Sequence, residues 1–124
     1  GYRFARIMMS GESIALYHPF KGRTPSQNEA YVKNICSDTN SKLPRIMFVG
    51  HTHSQAIHEG FEFPIINLPP LYNDGKNKRG AFEVVFNFNK DKIDSIILFP
   101  LSIDKKKVRQ TEIFNKTNKT KKIQ

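Results

Sequence analysis

Hydrophobic and polar residues change rhythm several times along this chain, and each change marks a candidate element. Arg3 to Met9 carries Phe4, Ile7, Met8 and Met9 without a Gly or Pro, which predicts a strand. Ser10-Gly11 suits a tight turn, and Glu12 to Tyr17 (ESIALY) predicts the second strand of a hairpin, ending at His18-Pro19. A short loop, FKGR, leads to Thr24-Pro25-Ser26-Gln27. Thr24 can cap a helix, Pro25 fits its first position, and Gln27 completes a capping box. Tyr31 and Ile35, with Val32 and Cys36, repeat at i and i+4 and give that helix one apolar face, fading near Ser37 to Asn40. These residues read as core.

Arg45 to Val49 (RIMFV) is short and continuously apolar, the pattern of a strand buried on both faces. Short strands are expected at Gln55 to His58 and at Phe63 to Leu68. Pro69-Pro70 and Asn73-Asp74-Gly75 mark a long loop that ends in Lys76, Lys78 and Arg79. Ala81 to Phe88 alternates, with Phe82, Val84, Phe86 and Phe88 on one face; Asn89 to Lys92 turns, and Ile93 to Phe99 returns as its partner. No solenoid repeat is visible. The pattern is α/β (α+β): a β-α-β unit followed by antiparallel strands.

The β-α-β unit brings histidines together. ESIALY, the helix and RIMFV form a crossover of the kind that joins parallel strands, almost always right-handed. If the two strands are neighbours, their C-terminal ends share one edge of the sheet, where ligands bind in α/β folds. His18 follows one end; Gly50-His51-Thr52-His53 follows the other. Residues i and i+2 of an extended segment point to one side, and Gly50 lets the backbone turn and leaves room for a ligand. Neutral imidazole suits transition ions. The same histidines could instead satisfy loop carbonyls. His58 has no partner in this pattern and reads as a surface or supporting residue.

Charge adds a second candidate surface. Twenty Lys and Arg against eleven Asp and Glu leave a net charge of +9. Asp104 to Gln124 holds eight of the bases and two of the acids, so the domain is placed at 1–103 and a basic, disordered tail at 104–124. The tail, with Lys76, Lys78 and Arg79, could follow the phosphates of a nucleic acid. The single cysteine, Cys36, excludes an internal disulfide and a Cys-only zinc site. The longest apolar runs fall far short of the roughly 18 residues of a membrane span, and no leader segment is evident, so a cytoplasmic location is expected. The chain is too short for a (β/α)8 barrel, which needs about 200 residues or more; this also argues against the H-x-H of amidohydrolase barrels.

MFVGHTHSQ, preceded by IALYHPF and followed by FPIINLPP, resembles the C-terminal blocks of the calcineurin-like metallophosphoesterases, with G-H-x-H after a buried strand. The likeness runs from about Glu12 to Leu101. It implies a two-sheet sandwich flanked by helices, of which this chain would be the C-terminal half, supplying one helix and most of one sheet, closed by Ala81 to Phe88 and its partner. It implies hydrolysis of phosphate esters at two divalent transition ions (Mn, Fe, Zn or Ni), which clamp the phosphate and activate a water for in-line attack. His18 and His51 would ligate one ion and His53 the other. The family's earlier blocks, D-x-H, G-D-x-x-D/N and G-N-H-E/D, do not occur in this sequence. Three neutral histidines lack the bridging carboxylate that two ions require, so the partner expected is the N-terminal half of the same domain, and the chain alone should be inactive. Apolar surface on ESIALY and RIMFV should then be uncovered, making the isolated chain prone to aggregate.

The alternatives are a non-catalytic scaffold of phosphoesterase fold and a nucleic-acid-binding protein using the basic loop and tail. If the latter holds, nucleic-acid affinity falls steeply with added salt; a retention assay across a salt series checks it, and salt-independent or absent binding removes it. Substrate, oligomeric state and metal identity are left open by the residues.

Overall fold

Local chemistry accounts for the first three elements. In the computed structural model, which describes residues 3–102, 111–115 and 120–123, strands β1 (Arg3–Met9) and β2 (Glu12–His18) pair over their full length, from Arg3 opposite His18 to Met9 opposite Glu12. Ser10 and Gly11 between them hold φ of 49° and 80°, the left-handed pair whose twist matches two antiparallel strands. Helix α1 (Pro25–Asp38) begins with the reciprocal cap: the Gln27 amide donates to Thr24 Oγ1 at 3.2 Å, and the Thr24 amide donates to Gln27 Oε1 at 2.9 Å. Val32 and Cys36 are buried on its inner face.

Strand β3 (Ile46–Val49) lies parallel to β2, so α1 is the crossover between them. After the histidine loop come β4 (Ala56–His58) and β5 (Ile65–Asn67); β5 pairs parallel with β3, and β4 pairs antiparallel with β5. The first sheet therefore runs β1-β2-β3-β5-β4. Strands β6 (Gly80–Asn89) and β7 (Lys92–Ser102) form a long hairpin in a second sheet, continued by β8 (Thr111–Asn115) and β9 (Thr120–Ile123).

That second sheet corrects one expectation. β6 and β7 do not close the first sheet; they pack on its face. Side chains of the central strands alternate between two compartments. Ala15, Tyr17, Met47, Val49 and Ile65 meet Val32 and Cys36 of α1. Ile14, Ile46, Phe48 and Ile66 meet Ile93, Ile96 and Leu98 of β7, with Phe82, Val84 and Phe86 of β6 packed alongside. The chain thus builds three layers, helix, sheet and sheet. Every residue of β3 is buried, so RIMFV is covered from both sides within this chain and is not left bare. The alternation expected in β6 stops at Phe88, which is exposed, because a register irregularity between Asn87 and Phe88 sets Phe88 opposite Ile93 and leaves Asp94 unmatched.

A polar clamp joins the two sheets at the end remote from His18 and His51. Glu12 Oε2 accepts the Ile93 amide at 2.7 Å, while Arg45 Nη1 reaches Glu12 Oε1 at 3.4 Å and donates to the Ile93 carbonyl at 2.7 Å. One acid and one base thus tie β2, the start of β3 and β7 together where backbone groups would otherwise lack partners.

The segment read as a frayed tail contains two strands. β8 pairs with β7 from Ser95 opposite Asn115 to Leu98 opposite Glu112, and β9 pairs with β8. Main-chain hydrogen bonding does not require the apolar content whose scarcity argued for disorder. Residues 104–110, 116–119 and 124 of that expected tail lie outside the described residues. No described helix is long and apolar enough to cross a membrane.

Two stability changes follow from the packing. Met47→Ala, at a fully buried position between sheet and helix, should cost about 2–5 kcal/mol. Thr24→Ala, which removes the cap, should cost about 0.5–2 kcal/mol. Both are read as a lower denaturation midpoint with an unchanged slope.

Candidate metal centre

The parallel pairing of β2 and β3 sets the site. Tyr17 lies opposite Val49, so both strands end at one level, and the Gly50 amide extends the ladder by donating to the Tyr17 carbonyl at 2.9 Å. β5 reaches the same edge, with Asn67 opposite Val49 and the Leu68 amide donating to the Val49 carbonyl at 2.8 Å. His18, the last residue of β2, and His51, two residues beyond β3, are thereby neighbours. Their ring centroids are 5.6 Å apart and the planes stand edge to face at 85°.

Gly50 has a steric role here. A Cβ at this position would lie 2.9 Å from His18 Cδ2, closer than two carbons approach without displacement. The room that the glycine leaves is taken by the His18 ring. At His51 and His53 the backbone is left-handed, with φ of 82° and 57°. The H-x-H segment is therefore not extended, and the expectation that its two side chains share a side by strand alternation does not hold. Such backbone costs a non-glycine residue about 1–3 kcal/mol and persists where the surroundings impose it.

His53 joins a different group. Its Nδ1 is 3.2 Å from Asp74 Oδ2, and the Tyr72 hydroxyl lies 3.4 Å from Nδ1 and 3.3 Å from Nε2. The Tyr72 ring stands perpendicular to the imidazole, with centroids 5.3 Å apart. Asp74 itself is anchored by the loop: Oδ1 accepts the amides of Lys76 at 2.9 Å and Asn77 at 2.8 Å, and Oδ2 accepts Asn77 Nδ2 at 3.1 Å. These bonds hold its carboxyl well below the usual carboxylate range, the Asn77 amide most strongly, with the His53 contact a lesser contributor.

The structure thus brings His18 and His51 together and turns His53 to the β5–β6 loop. Among the described residues, no group of three or more His, Cys, Asp or Glu side chains is gathered so that it could hold a metal ion. His58 pairs with Ile65 at the opposite end of β5, and its Nε2 is buried without a hydrogen-bond partner. Lys76 and Lys78 are exposed and Arg79 is half-buried. The sequence reading missed Asp74 and Tyr72. Asn73-Asp74-Gly75 was legible as a turn, but nothing local says which histidine the turn faces.

No family model matches the sequence, and no curated protein matches it. Solved structures do match the fold. One is wild-type Vps29 of Entamoeba histolytica complexed with zinc, with a TM-score of 0.55 at 15% identity over 90% of this chain and 59% of that one. Another is a conserved uncharacterised protein of Streptococcus pneumoniae described as a predicted phosphoesterase, with a TM-score of 0.54 at 13% identity over 91% of this chain and 62% of that one. The fold is that of the calcineurin-like metallophosphoesterases. The chain spans about three fifths of the length of these two structures.

The metal centre associated with this phosphoesterase fold can be tested against the residues present. His18 and His51 are two imidazoles in edge-to-face contact at one edge of the sheet, a donor type that suits a transition ion. Thr52 Oγ1 and Asn67 Oδ1, each within a few residues of the shared strand ends, are buried without hydrogen-bond partners, and such groups usually have an explanation in a bound ion or water. A two-ion centre does not fit these residues alone, because among the described residues no carboxylate bridges the histidines and like-charged ions about 3.5–4 Å apart need one.

Two measurements follow. Gly50→Ala should push the His18 ring away from His51 and lower stability by about 1–3 kcal/mol through overpacking; loss of the ring-to-ring nuclear Overhauser contact checks it. Because the Asp74 carboxyl titrates lower in the folded chain than unfolded, its anchoring of the loop is fully present above about pH 4 and is lost as pH falls further, through its folded value. Amide-exchange protection factors at Lys76 and Asn77 should therefore be flat from neutral pH to about 4 and fall below it.

Proposed function

We propose that this chain carries the histidine side of a metal-dependent phosphate-ester hydrolase, with His18 and His51 as ligands of one divalent ion and His53 serving a second. The carboxylate donors for a two-ion centre would come from residues outside this chain, and the chain alone would be inactive. The observation that carries the reading is the edge-to-face His18–His51 pair, set 5.6 Å apart at the shared end of two parallel strands, with a glycine where a side chain would collide. Bound ions would supply charge stabilisation at the phosphoryl group and a water of lowered pKa. The chain's own residues hold the imidazoles: β2 and β3 fix the level of His18 and His51, and the Asp74 loop fixes His53. Lys76 and Lys78 are exposed on that same loop, which suits an extended anionic substrate such as a nucleic acid.

A second reading, a non-catalytic module of the same fold, is favoured by one observation: His53 is engaged by Asp74 and Tyr72 and does not stand with the other two histidines.

Changes beyond the ligands of a metal site typically cost about 10–100-fold, so His51→Ala in the complete protein should lower hydrolysis of an aryl phosphate ester by at least about 100-fold and reduce bound metal. Steady-state hydrolysis and metal analysis check this. Full activity in the variant removes the hydrolase reading; a well-folded complete protein with neither metal nor hydrolysis supports the module.

A further inference from the structure

Three loops leave the sheet at one edge. Strands β2 and β5 flank β3 and both run parallel to it, so the segments after each strand start at one level, with the histidines in the middle. Each outer loop exposes a large aromatic side chain. After β2, Pro19 is buried but Phe20, next to it, is 61% exposed. After β5, Tyr72 is 58% exposed, although its hydroxyl lies 3.3 Å from His53 Nε2 and its ring stands perpendicular to the imidazole. That contact steadies the phenol at one end while more than half of the side chain stays open to solvent.

Positive charge surrounds the two rings. Lys21 and Arg23 are exposed beside Phe20, and Lys76 and Lys78 beyond Tyr72. The Arg23 guanidinium lies 5.9 Å over the Tyr31 ring, which places it against the start of α1. In these loops the one carboxylate is Asp74, already engaged by the amides of Lys76 and Asn77. Strand spacing sets the β2 and β5 loops about 10 Å apart. Exposed aromatic faces inside a field of cations fit a polyanion that also carries flat rings. A duplex hides its base faces in its own stack, whereas a single strand can offer them.

We propose that the β2–α1 and β5–β6 loops form a platform for single-stranded nucleic acid, with bases stacked on Phe20 and Tyr72 and phosphates held by Lys21, Arg23, Lys76 and Lys78. It deepens the polyanion reading of Lys76 and Lys78 given above and rests on that part of it. It requires no metal and no hydrolysis.

The test uses the 124-residue chain in EDTA at about 0.15 M salt, with fluorescence anisotropy of labelled oligothymidylate and of a duplex of equal length. Because metal is absent, failure of the hydrolase reading would not imitate failure here. Phe20→Ala and Tyr72→Ala should each weaken single-strand binding by about 5- to 150-fold and leave duplex binding unchanged. Tyr72→Phe keeps the ring and should keep the affinity. Lys21→Gln and Lys76→Gln should each lower the salt slope of single-strand binding by about 0.7. The sequence contains no Trp, so Phe20→Trp supplies a single reporter, whose emission should be quenched as oligothymidylate saturates. Unchanged emission at saturation overturns the proposal. So does full single-strand affinity in either alanine variant, an equal loss of duplex binding, or a Tyr72→Phe loss as large as that of Tyr72→Ala. Displacement of the oligonucleotide by polyglutamate as readily as by unlabelled oligothymidylate also overturns it, and would assign the surface to acidic peptides.

Discussion

Parallel pairing of β2 with β3 is the constraint on which the rest of this structure depends. It places Tyr17 opposite Val49, ends both strands at one level and lets the Gly50 amide continue the ladder. A slip of one residue would turn each side chain of β3 to the wrong compartment, exchanging Met47 and Val49 with Ile46 and Phe48. The same slip would move His51 away from His18. Core packing and the histidine pair are thus specified by one register, and the core has far more free energy at stake.

Burial on both faces is what makes that register firm. A half-exposed strand could tolerate misplacement, but β3 has a helix on one side and a sheet on the other. The capped helix α1 delivers the chain from the end of β2 back to the start of β3. At that starting end the Glu12–Arg45 pair, both side chains mostly enclosed, ties the strands to the β6–β7 hairpin. At the far end the backbone departs from regular structure into the left-handed turns at His51 and His53. Rigid at one end and strained at the other is the arrangement expected of a scaffold that presents side chains to a ligand.

The loop carrying Asp74 shows how local and long-range effects combine. Its own amides create the acceptor geometry and keep the carboxyl ionised; the His53 contact is a lesser effect on that carboxyl.

Much of this protein was legible along the chain. The hairpin turn, the capping box at Thr24 and Gln27 and the doubly buried β3 follow from residue types within a few positions of one another, because turns, caps and strand periodicity are short-range physics; the shared edge of His18 and His51 follows from the order strand, helix, strand. Three features were decided only by the tertiary structure. The β6–β7 hairpin became a second layer because the vacant apolar face of the first sheet, assembled from three strands distant in sequence, was the surface able to cover it. Strands β8 and β9 form by main-chain pairing, which side-chain composition reports poorly. His53 left its sequence neighbour for Asp74, 21 positions away, because the left-handed backbone after Gly50 redirects the ring, and no local pattern encodes where a redirected side chain finds its partner.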